Sequence, residues 1–134
     1  MGLDISFGAF NGAYSAFNTF RKIIAEATGG SFPPHNDETL EPNMWYFGEG
    51  HNKKTHKGLY ELLSHSDCDG KINYAMCRHV AKELEQLLPK IEEIAKTKPC
   101  FGHIERDGGY VAVTKRFIEG CNQAIEQKKP LRFY

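Results

Sequence analysis

Two short stretches concentrate the side chains able to do chemistry. The first, His65-Ser66-Asp67-Cys68-Asp69-Gly70-Lys71-Ile72, offers an imidazole, two carboxylates and a thiol within one turn. The second, Arg106-Asp107-Gly108-Gly109-Tyr110, joins a guanidinium to a Gly-Gly helix start. Free N–H groups at a helix start and the helix dipole favour an anion. Arg106 adds a fork of donors for phosphate, Tyr110 a ring for stacking, and Lys115 and Arg116 follow further along the same helix.

The first stretch has the outline of a calcium loop. With Gly70 at the sixth position, Asp67 and Asp69 fall at the third and fifth. His65 then occupies the first position and Met76 the twelfth, where calcium needs an oxygen and a bidentate Glu. The stretch therefore reads as a tight turn between helices. Asp67 or Asp69 caps the second helix, Gly70 is left-handed, and Ile72 plugs the core.

Zinc spacing is weak as well: of the donors His65, Cys68, Cys77 and His79, Cys77 and His79 point to different faces of one helix, and Cys77 lies on its apolar seam. His65, Asp67 and Asp69 remain the metal candidates, and no cofactor is expected. A helix start just after Cys68 favours its thiolate, whereas the flanking Asp67 and Asp69 oppose it. No residue is assigned a catalytic role.

The elements that must position these groups follow from periodicity. Leu3 to Phe7 alternates as a short strand, and Gly8 to Gly12 reads as loop. A helix spans Tyr14 to Ala27, with Phe17, Phe20 and Ile24 on one stripe and Gly29-Gly30 ending it. Ser31 to Asn43, with three prolines, is loop. The cluster Met44-Trp45-Tyr46-Phe47 either anchors that loop or offers Trp45 and Tyr46 as a platform for a planar ligand.

A short helix starts near Thr55 and carries Leu59, Leu62 and Leu63. Asn73 to Leu88 is the clearest helix, and Pro89 is expected to break it and open a second one to Lys96. Thr97 to Gly109 is loop, and Gly109 to Gln127 is the last helix, with Asp107 placed to cap it and Thr114 as a second possible start. Leu131 to Tyr134 forms an edge strand that pairs with the N-terminal one. The fold class is α+β, predominantly helical: four or five helices and a small sheet involving the N- and C-terminal strands.

The chain has 134 residues, enough for one core, and reads as a single globular domain over 1–134. Seventeen basic residues balance seventeen acidic ones. That balance argues against a duplex nucleic-acid binder, which needs a basic excess. There is no secretory signal and no apolar run of membrane-spanning length, so no membrane partner is expected. The four cysteines form no C-x-x-C pair, and the chain reads as cytoplasmic with reduced thiols.

Gly2-Leu3-Asp4, the Tyr14-Ser15 helix start with Phe17-Asn18, His65-Ser66-Asp67-Cys68-Asp69-Gly70 with Cys77, and Arg116-Phe117-Ile118 together resemble a family of small uncharacterised proteins from bacteria and their phages. The resemblance carries no activity and no site residues. It implies a stand-alone cytosolic domain, and its phage setting suggests a counter-defence role such as sequestering a nucleotide immune signal.

The function expected from these residues is non-enzymatic binding of a small anionic, nucleotide-like ligand by a homo-oligomer. Arg106, Gly108, Gly109, Tyr110, Arg116, Trp45 and Tyr46 are the ligand-binding candidates. Two alternatives stand beside it: a metal-dependent or cysteine-based enzyme centred on His65, Cys68 and Asp69, and a protein–protein adaptor or inhibitor.

Overall fold

A computed structural model describes residues 2–134. The fold is α+β and mostly helical, with five α-helices and short antiparallel strands among the described residues. Strand β1 (Gly2–Ile5) and strand β2 (Phe10–Ala13) form a hairpin with Leu3 opposite Gly12 and Ile5 opposite Phe10. Leu3, Ile5 and Phe10 are buried on its inner face. The connection is a tight turn in which Phe7 takes a left-handed conformation (φ 60°) just ahead of Gly8. The pattern in Leu3 to Phe7 was therefore half of a hairpin, and the segment read as loop is mostly its second strand.

Helix α1 (Tyr14–Ala27) follows directly and buries Phe17, Phe20, Ile23 and Ile24. Gly29, with φ of +87°, turns the chain out of it, as the Gly-Gly pair suggested. No regular element follows until helix α2 (Lys57–Ser64), yet the intervening loop is pinned. Ser31 and Tyr46 exchange backbone hydrogen bonds of 3.0 and 2.7 Å. Gly30 and Gly48 let the two backbone runs touch: a Cβ on Gly30 would lie 1.9 Å from the Tyr46 carbonyl oxygen, and one on Gly48 equally close to that of Thr28.

Strand β3 (Lys71–Ile72) precedes helix α3 (Tyr74–Thr97), then come helix α4 (Gly102–Arg106), helix α5 (Tyr110–Gln127) and strand β4 (Leu131–Arg132). Strand β4 pairs with β3, not with β1. The chain ends still meet: Ile5 bridges Phe133, and the Tyr134 N–H donates to the Asp4 carbonyl at 2.8 Å.

Helix α3 runs unbroken through Pro89, which corrects the expected break. The proline removes one N–H and crowds the preceding turn. Here that cost falls on the solvent side, because Glu85, Gln86, Pro89 and Lys90 are all exposed. Leu84, Leu87 and Ile91 hold the buried face on both sides of it. Asn73 caps the helix, accepting from the Met76 N–H at 2.8 Å, so neither Asp67 nor Asp69 does so.

The core sits between α1, α3 and α5. Phe17, Phe20 and Phe117 are almost completely buried in it. Phe10 and Phe133 meet Phe17 edge-on at 5.2 and 5.8 Å. Such rings bury the most area per residue and gain from the edge-to-face geometry.

Candidate anion-binding site

Helix α2 has eight residues, too few to persist alone. Two buried charges hold its ends. At the N-terminus the Glu83 carboxylate, reaching from α3, accepts from the N–H groups of Gly58 and Leu59 at 3.2 and 3.0 Å. At the C-terminus the Arg21 guanidinium, reaching from α1, donates to the carbonyl of His65 at 2.6 Å and lies 3.4 Å from that of Leu62. An anion at the N-terminus and a cation at the C-terminus each match the helix dipole, and each satisfies backbone groups the helix leaves open.

Arg21 is only 5 % exposed. It lies between the rings of Phe17 and Phe32, 4.7 and 5.0 Å from their centroids, and bonds Asn18. Burial pulls its pKa down and nearby Asp67 opposes that shift. Its Nε is the one buried side-chain nitrogen or oxygen without a partner among the described residues.

These caps place a set of cations around the start of α2. Lys54, Thr55, Lys57, His79, Lys82, Glu83 and Gln86 line a depression of about 350 Å³. The one acid in that lining is Glu83, whose two oxygens are already occupied by backbone N–H groups. His79 Nδ1 lies 3.9 Å from Glu83, one helical turn away. Lys54, Lys57 and Lys82 form no ion pair among the described residues, and against Glu83 they leave the lining with a positive surplus.

Beside the depression is a cluster of half-buried rings. The Thr55 hydroxyl is 2.7 Å from His56 Nδ1, and the His56 ring lies 4.3 Å from that of His51. Phe47 is 6.4 Å from both, and meets Trp45 edge-on at 4.8 Å. Lys53 Nζ sits 5.1 Å from the centroid of Tyr60. Burial lowers the pKa of His56, the neighbouring His51 lowers it further, and Glu83 opposes both.

The residues singled out from sequence fall in several places. The N–H groups of Gly108 and Gly109 donate to the carbonyls of Glu105 and Ile104, closing α4. Tyr110 is buried, and its hydroxyl donates to the Pro99 carbonyl at 2.6 Å. Burial also raises the pKa of that hydroxyl. Arg106 contacts His103. Arg116 donates through Nε to the Gly8 carbonyl at 2.6 Å and lies 3.5 Å from Asp107. Gly109, with no side-chain cap, starts α5, so Asp107 pairs with Arg116 in place of the expected capping role.

Trp45 packs on Phe47 and Tyr60, and Tyr46 receives the Glu41 N–H on its hydroxyl. Trp45 thus joins the ring cluster beside the lysines, while Tyr46 holds the loop closed. The lysine depression has no signature in the sequence. Lys54 and Lys57 lie in a polar run that reads as solvated loop, and Lys82 belongs to a different helix.

The His65 turn is built from backbone bonds. His65 Nδ1 and Nε2 lie 2.8 and 3.1 Å from the carbonyls of Ser66 and Lys71, and its ring stacks on Phe133 at 4.0 Å. The Ser66 hydroxyl accepts the N–H groups of Cys68 and Asp69. Gly70 takes φ of +94° and Ile72 is 1 % exposed, as the turn reading expected. No three His, Cys, Asp or Glu side chains converge as a metal site among the described residues.

Cys77 and Cys121 are both fully buried, with the Cys77 thiol donating to the Ile72 carbonyl at 3.7 Å, whereas Cys68 is exposed. The neighbouring Cys77 and then burial push the Cys121 thiol up, which leaves it an inert core group. No helix among the described residues is long and apolar enough to cross a membrane.

Comparison with family models, curated proteins and solved structures finds no match to the chain.

Proposed function

We propose that the protein binds a small anionic, nucleotide-like ligand in the depression lined by Lys54, Lys57 and Lys82. One observation carries this reading: Lys54, Lys57, Lys82 and His79 line a cavity whose single acidic residue, Glu83, is held by backbone N–H groups, so basic residues outnumber acidic ones in the lining. An anion entering it gains charge-assisted hydrogen bonds without displacing an ion pair from the lining. The neighbouring rings of His51, His56 and Phe47 supply a surface for a planar group. Under this reading the Arg106 and Arg116 region supports the fold, since Arg106 contacts His103 and Arg116 holds the Gly8 carbonyl and Asp107. In a phage setting such binding sequesters a nucleotide signal.

Isothermal titration with inorganic phosphate, pyrophosphate and a panel of mononucleotides tests it. Saturable binding that weakens with added salt is expected. The Lys57→Gln/Lys82→Gln variant, with an unchanged circular dichroism spectrum, should lose roughly tenfold or more in affinity. Absence of heat with every anion would sink the reading.

A further inference from the structure

Resting on that reading, we infer that His79 makes anion binding proton-linked: the depression takes up a proton with its anion and holds the anion more weakly as pH rises.

Among the residues that line the depression, His79 alone is of the side-chain type that ordinarily changes charge between about pH 5 and 8. Lysine and glutamate side chains ordinarily keep their charges across that range. The His79 side chain is about half exposed, so solvent protons reach it freely.

Charged groups act on this imidazole from both elements that form the depression. On its own helix, Nδ1 lies 3.9 Å from the Glu83 carboxylate, which favours the proton, while Lys82 opposes it. From the start of α2 and the turn before it, Lys54 and Lys57 oppose it as well. His56 stands outside the lining, behind Thr55, whose hydroxyl is 2.7 Å from its Nδ1. Glu83 is fixed by the Gly58 and Leu59 N–H groups, which hold its carboxylate at the start of α2.

In the empty depression three basic residues therefore stand against one acid and resist a further positive charge. A dianion bound there offsets the lysines and adds negative charge beside the imidazole, so the proton binds more readily. Linkage is reciprocal: a proton on His79 raises anion affinity by the same factor. The sign follows directly. His79 holds its proton more tightly in the bound state, so anion binding strengthens as pH falls through its titration.

Calorimetric titration of the intact protein with sodium sulfate at fixed ionic strength tests the linkage. Sulfate keeps two charges across the histidine range, whereas phosphate groups gain a proton at about pH 6. Affinity is expected to rise about fivefold between about pH 8 and about pH 5, the order of one added charge pair at contact distance in water. Runs in two buffers of different ionisation enthalpy should show net proton uptake. In a nuclear magnetic resonance titration, sulfate should move the His79 imidazole transition to higher pH, and His79→Gln should flatten the pH dependence of affinity. Sulfate affinity independent of pH, an unmoved His79 transition, or a pH dependence that survives His79→Gln overturns the proton linkage and leaves anion binding standing. Sulfate that fails to bind at any pH overturns it too, while the titrations with phosphate and nucleotides decide the anion reading on their own.

Discussion

Glu83 serves both the start of α2 and the pocket beside it. Its carboxylate satisfies the Gly58 and Leu59 N–H groups and supplies the one negative charge in the lysine-lined pocket. Replacing Glu83 with Ala removes a cap and leaves buried donors open. Each of these effects costs about 1–3 kcal/mol, so urea denaturation should show a loss of roughly 2–6 kcal/mol. His56 supplies a second prediction at this scale. Its pKa lies below the ordinary 6.5 because of burial and the facing His51, with Glu83 opposing. Between the folded value and 6.5 the unfolded chain binds the extra proton. This contribution to stability is therefore fully present above pH 6.5 and is lost as pH falls through the folded value. Denaturation at a series of pH values should show a smaller acid loss in His56→Gln than in the parent. An equal loss in both would remove His56 as the cause.

At the scale of elements, two local conflicts are resolved by packing. Pro89 opposes the helix that contains it, yet α3 continues because buried side chains on both sides hold one face in place. In a continuous helix Pro89→Ala should stabilise the protein by about 1–3 kcal/mol, measured by urea melts. In two helices meeting at Pro89, the proline would sit at a first turn and the change would be near neutral. Gly58 poses the reverse case. Alanine is the better helix former by about 1 kcal/mol, but a Cβ there would fall 2.3 Å from the Val80 nitrogen. Gly58→Ala should therefore destabilise, by about 1–3 kcal/mol, through forced separation of α2 from α3.

Across the whole molecule, Phe133 ties the end of the chain to its beginning and middle. It bridges Ile5, meets Phe17 edge-on and stacks on His65. Phe133→Ala should cost about 3–5 kcal/mol. Hydrogen exchange should quicken in the turn from His65 to Ile72 more than in α5, because that turn loses its stacking partner. Uniform quickening would mean that Phe133 acts only through global stability.

Periodicity alone was enough to place α1, α5 and most of α3, because each buries one stripe at helical spacing and the chemistry of a stripe is local. The turn at Gly70 and the plug at Ile72 were legible for the same reason: backbone sign and apolarity belong to single residues. The second strand of the hairpin, the bond of β4 to β3, and the short α4 were not legible, since each depends on which distant segment supplies its partner. The lysine pocket is the sharpest case. Lys54, Lys57 and Lys82 look like solvated surface one at a time, and the chain's overall charge balance conceals them. They become a group only when α2 docks on α3 and Glu83 turns its carboxylate to the backbone. Electrostatic grouping depends on distance in space, and that was set by the docking of helices far apart in sequence.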